Sequence, residues 1–178
     1  MVMKRPQGVR HAELHAHTAA LGADDDMLLI SIHEENRWPY TGKLEDTGGG
    51  RSVNLPVPRG FNDTEMTHVL RRLILPLLEQ FQPQAIVLQS GSDAILEDPL
   101  SRLALSNNAH AEVALALRAV VPRFIVLGGG GYNPWSVGRC WTRIWGALNG
   151  LQVEGPLPDA AQDILRPLTW NRRGPAWQ

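Results

Sequence analysis

Residues 124–134 read Phe-Ile-Val-Leu-Gly-Gly-Gly-Gly-Tyr-Asn-Pro, and the rest of the predicted fold is built outward from them. The four apolar residues predict a buried β-strand, and the four glycines that follow free the backbone to turn. Asn133 is a good N-cap for a helix, and Pro134 is a good first helical residue. Tyr132 is therefore predicted at the carboxyl end of a strand, which is where ligands bind in open parallel sheets.

A second stretch has the same plan. Residues 85–89 read Ala-Ile-Val-Leu-Gln, and Ser-Gly-Ser-Asp ends the apolar run at residues 90–93. This pattern predicts another strand with a carboxylate, Asp93, just beyond its end. If the two strands are neighbours in one sheet, Asp93 and Tyr132 share one cleft.

The remaining elements complete an alternating order of strands and helices. Residues 27–32 predict a strand, and alternating apolar residues at 53, 55 and 57 predict a short edge strand. Asn62 and Glu65 resemble a capping box that opens a helix running to Phe81, with a kink at Pro76. Two further helices are predicted, from residue 107 or 108 to before 122 and from 134 to about 148.

Helices between consecutive strands imply parallel pairing and right-handed crossovers. The predicted fold class is therefore α/β, with a mostly parallel sheet and flanking helices. Residues 27–150 form this domain. Residues 1–26 show no clear period and are interpreted as a poorly matching N-terminal segment that could be disordered, and residues 151–178 as a proline-rich tail.

Composition excludes several classes of function. A formal charge of −1 argues against a nucleic acid or an anionic membrane held by bulk electrostatics, and no apolar run approaches the roughly 20 residues that span a bilayer. The single cysteine, Cys140, excludes an internal disulfide framework and fits a reducing, cytoplasmic location.

Each candidate residue also has a structural interpretation. The glycines at 128–131 suit a tight turn with close helix packing, and the dinucleotide fingerprint fails because Asn133 and Pro134 occupy the positions where its last glycine is needed. Asp93 alone is more often a loop carboxylate than a metal ligand. His15 and His17 could present ligands on one side of an extended segment or belong to a disordered one. His68 and His110 are placed on helices as solvated residues.

Seven motifs, in order and with matching spacing, resemble the histone deacetylase superfamily, most closely the bacterial acetoin utilisation deacetylases. They are Ile-Ser-Ile-His-Glu at 30–34, Trp-Pro-Tyr-Thr-Gly at 38–42, Ser-Val-Asn-Leu-Pro at 52–56, Val-Leu-Gln-Ser-Gly-Ser-Asp at 87–93, Asp-Pro-Leu at 98–100, Leu-Gly-Gly-Gly-Gly-Tyr-Asn at 127–133 and Gly-Arg-Cys-Trp-Thr at 138–142. The resemblance runs from about residue 27 to residue 150.

The resemblance implies an arginase/deacetylase-like fold and a zinc-dependent hydrolase that removes acetyl groups from acetyl-lysine or a small acetylated amide. By position, Asp93 resembles a zinc ligand, and Tyr132 resembles the catalytic tyrosine that binds the substrate carbonyl. The substrate-binding positions are Trp38, Leu100 and Gly130, and the potassium site is Ser31 with Ile32. Zinc, with three protein ligands and an open position, polarises an amide carbonyl and acidifies bound water.

The chain also departs from the family pattern. It begins roughly where the family's second half does, so the N-terminal half, with the His-His pair that serves as general base, has no counterpart here. His17 and His15 would take the places of the ligand histidine and the ligand aspartate. The resemblance therefore implies a truncated form with weak or no activity, or a non-catalytic remnant or binding module without metal. A sheet cut through its middle also predicts self-association through an exposed edge.

Overall fold

A computed structural model describes residues 2–4, 26–37, 40–152 and 155–168. The strands are β1 (Val2–Lys4), β2 (Met27–Glu34), β3 (Ser52–Val57), β4 (Ala85–Gln89) and β5 (Arg123–Leu127). The α-helices are α1 (Asp63–Val69), α2 (Leu75–Phe81), α3 (Asn107–Ala119), α4 (Pro134–Leu148) and α5 (Asp159–Leu165). A π-helical segment (Leu70–Ile74) joins α1 to α2, and short 3-10 turns lie at Gly48–Gly50 and Ser92–Ala94.

The strands form one sheet in the order β3-β2-β1-β4-β5. β2 pairs with β3 in parallel, and β4 pairs with β5 in parallel. The adjacency of β4 and β5 that the sequence left conditional is thus present, and the α/β class with a mostly parallel sheet and flanking helices is confirmed.

β1 is the element that the sequence did not predict. It lies between β2 and β4 and is antiparallel to both, with Val2 opposite Leu29 on one side and Val87 on the other. The strand has only three residues, too few for an alternating pattern to be recognised. The two parallel pairs are therefore joined into one sheet by a part of the chain interpreted as poorly patterned.

Helices α2, α3 and α4 pack on one face of the sheet. Side chains of β2, β4 and β5 that point to this face join one hydrophobic core with α2, α3, α4 and the π segment, including Ile30, Ile86, Leu117 and Ile144. Because side chains alternate along a strand, Leu29, Val87 and Ile125 point to the opposite face.

The strand predicted as buried at residues 124–127 is buried on one face only. Phe124 and Val126 pack against the core, whereas Ile125 and Leu127 are 54% and 45% exposed. β5 is an edge strand of the sheet, and a continuous apolar run does not reveal whether both faces of its strand are covered.

Helix starts and stops agree well with the predicted signals. Asn62 and Glu65 form the capping box that opens α1, with the Asn62 side chain accepting from the backbone of Thr64 and Glu65. Pro76 lies in the first turn of α2, directly after the π-helical segment. The hydrogen bonding of the π-helical segment accommodates the backbone N–H that proline lacks. Within the part of the chain described, none of the helices has the length and apolarity to cross a bilayer.

Candidate functional site

A cavity of about 1280 Å³ opens at the carboxyl ends of β2, β4 and β5. Asp93 and Tyr132 both line it, and Gly130, Leu100, Ser31 and Ile32 lie in its wall as well. The cleft that the sequence predicted between two strand ends therefore exists, and it holds every described residue that the family resemblance singled out.

The glycine loop after β5 is locked against the loop after β4. The backbone N–H of Ser92 donates to the carbonyl of Gly130 at 2.7 Å, and the Ser92 hydroxyl donates to the same oxygen at 3.3 Å. A Cβ atom on Gly129 would lie 2.8 Å from the Cα atom of Gly91. These glycines therefore serve a close approach of two loops, in agreement with the failed nucleotide fingerprint.

Two glycines also form the floor beneath the Asp93 carboxylate. A Cβ atom on Gly91 would lie 2.5 Å from Oδ1 of Asp93, and one on Gly130 would collide with Oδ2. The Asp93 carboxylate thus lies against the backbone of Gly91 and Gly130. A larger residue at position 91 or 130 would fill the space that the carboxylate occupies.

The Asp93 carboxyl group is held in a poorly solvated position. Burial raises its pKa above the ordinary value of 3.8, and the nearby Asp98 adds to the rise, while a backbone hydrogen bond and His110 oppose it. A carboxylate that is costly to ionise without a partner gains most from a cation placed beside it. This environment suits a carboxylate that binds a cation.

Asp98 fixes the position of Tyr132. This carboxylate is only 5% exposed, and Oδ2 accepts a hydrogen bond from the backbone N–H of Tyr132 at 2.8 Å. Oδ1 accepts from the backbone of Leu100 at 2.8 Å and of Ser101 at 3.3 Å. One buried carboxylate therefore ties two walls of the cavity together through charge-assisted bonds. Tyr132 is 45% exposed as a residue and lines the cavity.

His110 is the clearest correction to the helix interpretation. It was expected to be solvated on α3, yet it is 7% exposed and lines the cavity. Its Nδ1 lies 3.0 Å from the carbonyl oxygen of Ser106, and its Nε2 lies 3.1 Å from that of Gly91. His110 therefore anchors the loop that carries Asp93 to α3. His68 is exposed, as expected.

The wall formed by β2 is held by a second histidine. The Ser31 hydroxyl lies 3.0 Å from Nδ1 of His33, and Nε2 of His33 lies 2.9 Å from the carbonyl oxygen of Gly42. Because a carbonyl oxygen only accepts, Nε2 carries a proton, and in the neutral ring Nδ1 then accepts from the Ser31 hydroxyl. Ser31 is 8% exposed, so it faces the interior of the protein rather than solvent.

Three candidates from the sequence lie outside the described residues: His15, His17 and Trp38. Among the residues that the structure does describe, no three His, Cys, Asp or Glu side chains come together as a possible metal cluster. Zinc centres use three or four protein ligands. Asp93 alone therefore does not make up a zinc centre, and the described residues do not fit the metal without further ligands.

Asp98 and His110 are the residues that sequence reasoning missed. Asp98 accepts a hydrogen bond from the backbone of Tyr132, which is 34 positions away in the sequence. His110 contacts the carbonyl oxygen of Gly91, which is 19 positions away. The only sequence signal was that Asp98 falls in one of the family-like motifs, which names a position but not a hydrogen bond.

Fold and cavity together define an α/β protein with a ligand cleft at the carboxyl ends of parallel strands, furnished with a carboxylate and a phenol. Residues 15–148 match the model of the histone deacetylase domain. The chain therefore belongs to the histone deacetylase family.

Curated relatives agree with this assignment. A putative histone deacetylase 2 of Caenorhabditis elegans is 34% identical over 78% of this chain and 28% of its own length. Human histone deacetylase 1 is 29% identical over 88% of this chain and 35% of its own length. The chain thus spans about a third of the length of these relatives.

Solved structures give the same result. A histone deacetylase homologue from Aquifex aeolicus superposes with a TM-score of 0.75 and 35% identity, over 84% of this chain and 42% of the other. A homologue complexed with SAHA superposes with a TM-score of 0.70 and 35% identity, over 79% and 40% of the two chains.

Proposed function

We propose that this chain forms part of a zinc-dependent deacetylase that removes acetyl groups from acetyl-lysine or a small acetylated amide. The observation that carries the proposal is the placement of Asp93 and Tyr132 at the ends of adjacent parallel strands, in the wall of one cavity. A structural neighbour with 35% identity binds SAHA, which supports a cavity of this kind as an acetyl-lysine site.

In this proposal, Tyr132 is the catalytic residue that this chain contributes. Its phenol donates a hydrogen bond to the acyl oxygen and stabilises the negative charge that develops there during hydrolysis. The bond from its backbone N–H to Asp98 holds the Tyr132 backbone in place at the wall of the cavity.

The acyl-lysine chain would be bound by the cavity wall. Leu100 is 49% exposed and lies in that wall, so it offers apolar surface to a methylene chain. Gly130 is proposed as a substrate-binding position from the family resemblance, and its lack of a side chain leaves room for the Asp93 carboxylate beside it. Trp38 is proposed as a further lining residue from the family resemblance alone.

When bound, zinc would polarise the acetyl carbonyl and acidify a water molecule. Asp93 is proposed as one ligand, with His17 and His15 as the candidates for the others, since carboxylate and imidazole groups both suit zinc. Ser31 and the backbone of Ile32 are proposed to contribute to a potassium site. The resemblance likewise supports an acetoin utilisation type of deacetylase, a cytoplasmic location and a match to the C-terminal part of the catalytic domain.

The activity of this chain alone is proposed to be weak or absent. The family's His-His general base has no counterpart in the sequence, and loss of a general base typically costs about 10² to 10⁴ in rate. A binding module without metal is the second candidate function, and it is favoured by the lack of a three-ligand cluster in the described residues.

Zinc stoichiometry separates the two candidates. For the proposed deacetylase we expect about one zinc per chain by elemental analysis of protein purified without chelators, and loss of that zinc in Asp93→Ala. The matched control is Asp163→Ala, an exposed carboxylate on α5. Protein that holds no zinc would favour the binding module.

Deacetylation of a fluorogenic acetyl-lysine peptide then tests the role of Tyr132. We expect a low rate in the wild type and a further fall in Tyr132→Phe, because the ring remains and only the hydrogen-bond donor is lost. Equal rates in the two proteins would remove Tyr132 from the chemistry.

A further inference from the structure

Glu34, the last residue of β2, carries a largely buried acidic side chain that has no part in the chemistry proposed for Tyr132. The side chain of Glu34 is only 9% exposed, and the residue lines the same cavity as Asp93 and Tyr132. A carboxylate that is shielded from water needs hydrogen-bond donors from the protein. The donors of Glu34 show which parts of the cavity wall it holds together.

These donors come from two different segments of the cavity wall. Oε2 of Glu34 accepts a hydrogen bond from the backbone N–H of Arg102 at 2.9 Å, and it forms an ion pair with Nε of Arg37 at 3.2 Å. Arg37 lies just beyond β2, whereas Arg102 is 68 positions from Glu34 in the sequence, in the connection between β4 and α3. One carboxylate oxygen therefore joins two loops that are distant in the sequence.

The segment 98–102 is held at its other end by Asp98. The Asp98 carboxylate accepts from the backbone N–H groups of Leu100 and Tyr132, each at 2.8 Å. Two carboxylates, Glu34 and Asp98, thus fix the two ends of the segment that carries Leu100, through charge-assisted hydrogen bonds.

The turn after β2 contains a backbone conformation that needs support. Tyr40 has a φ of +62°, which is rare for an aromatic residue because its Cβ atom crowds the backbone. The backbone N–H of Tyr40 donates to the carbonyl oxygen of Arg37 at 2.6 Å, and Arg37 is the residue that Glu34 holds. Strained backbone of this kind persists only where the surrounding structure fixes it, and it is concentrated at functional sites.

Tyr40 and Leu100 lie where the cavity opens to solvent. Both residues line the cavity, yet they are 72% and 49% exposed. Apolar side chains in such positions contact the part of a ligand that lies nearest to the opening. Because Glu34 holds both of the segments that carry them, it controls where these two side chains lie.

We propose that Glu34 is a positioning residue for ligand recognition, acting through Tyr40 and Leu100 at the opening of the cavity. The class of ligand, an acyl-lysine side chain in a peptide, rests on the proposed function. Removal of the carboxylate frees both segments, so that the opening has to be ordered when a ligand binds. Ordering on binding lowers affinity.

Equilibrium binding tests this role. The full chain is titrated into a fluorescently labelled peptide that contains Nε-acetyl-lysine, and fluorescence anisotropy gives the Kd. Glu34→Ala should raise the Kd about tenfold, since the charge-assisted bonds that order the opening are lost. Glu34→Gln keeps an acceptor for the N–H of Arg102 and should restore part of the affinity. Glu35→Ala removes the exposed neighbouring carboxylate and should leave the Kd unchanged.

A second background separates positioning from a general loss of structure. In the double variant Tyr40→Ala with Leu100→Ala, both side chains through which Glu34 acts are absent. Adding Glu34→Ala to this background should change the Kd by less than about twofold. Circular dichroism checks that each variant is folded. A full tenfold effect in this background, or no effect of Glu34→Ala in the otherwise wild-type chain, would overturn the proposal.

Amide hydrogen exchange gives a readout that needs no ligand. Faster exchange at the amides of Tyr40 and Arg102 in Glu34→Ala supports the positioning role, and unchanged exchange at both amides overturns it. A wild-type chain that does not bind the peptide overturns the proposed function, and the recognition role fails with it. Binding by the wild type that Glu34→Ala leaves intact overturns the positioning role alone.

Discussion

The two parallel strand pairs on either side of β1 differ in how they are covered. Residues 27–31 of β2 are buried without interruption, whereas β5 alternates between half-buried and exposed positions. Both strands are apolar runs of similar character, and both pack one face against the same helices. The difference lies on the other face of the sheet.

On the β2–β3 side, a loop covers that second face. Asn54 of β3 donates from its side chain to the carbonyl of Asp46 at 2.7 Å, and His33 of β2 bonds the carbonyl of Gly42. These bonds satisfy buried polar groups while holding residues 42–46 over the sheet. On the β4–β5 side, Ile125 and Leu127 face solvent. How far a strand is buried thus depends on whether another part of the chain covers its second face.

The largest expected difference in unfolding free energy is between two isoleucine-to-alanine variants, one in each strand pair. Ile30 of β2 is 3% exposed and Ile125 of β5 is 54% exposed. Ile30→Ala leaves a cavity in the core and should lower the free energy of unfolding by about 2–5 kcal/mol. Ile125→Ala should change it by no more than about 0.5 kcal/mol. Urea unfolding measures both, and similar losses would mean that the β5 face is covered in solution.

A second pair of variants compares the carboxylates that hold each side. Asp98 is buried and bonds three backbone N–H groups beside β4 and β5, whereas Asp46 is exposed and accepts one from Lys43 at 3.1 Å. Asp98→Ala should cost about 1.5–3 kcal/mol in unfolding free energy, since buried charged bonds are lost.

Asp46→Ala serves as the control and should cost under about 1 kcal/mol. Equal losses of unfolding free energy would show that Asp98 does not stabilise the loops around Tyr132. Backbone amide exchange at Tyr132 gives a local readout, and we expect it to be faster in Asp98→Ala than in either the wild type or the control.

A third comparison concerns two histidines. His110→Ala removes a buried ring that joins Gly91 to α3, and it should cost about 1–3 kcal/mol because the packing of the ring and its hydrogen bonding to a backbone carbonyl are lost. His68→Ala, at an exposed position on α1, should lie within about 0.5 kcal/mol of the wild type. Thermal or urea unfolding of both variants measures the contrast. Equal losses of unfolding free energy would mean that His110 is solvated in solution, as the sequence analysis predicts.

The sequence predicted what depends on local signals. Asn62 with Glu65 opens α1, Asn133 with Pro134 opens α4, and the strand ends after Gln89 and Leu127 deliver Asp93 and Tyr132 to one cavity. In each case the cause lies within a few residues of the effect, so the pattern is visible without a structure.

What the sequence missed depends on distant contacts. The half-exposed face of β5 reflects its edge position, and β1 pairs with strands more than 20 and 80 residues away. His110 looked like a solvated helix residue because the partner of its Nε2, Gly91, lies in another loop. Periodicity and motif spacing carry no information on such pairings, which the fold alone creates.

The smallest effect, and the only stabilising one, is expected at Asp93. Burial raises the pKa of this carboxyl above 3.8, so the folded state binds its proton more tightly than the unfolded state does. Stability from this group is therefore complete below the unfolded pKa and is lost as the pH rises through the folded pKa.

Asp93→Asn removes the ionisable group, so at neutral pH and without metal it should melt at a higher temperature than the wild type. The difference in melting temperature should close toward pH 3. Thermal melts across that range in the presence of a chelator measure this difference. A variant that is less stable at neutral pH would mean that the favourable contacts of the ionised carboxylate, its backbone hydrogen bond and His110, outweigh the cost of burying it.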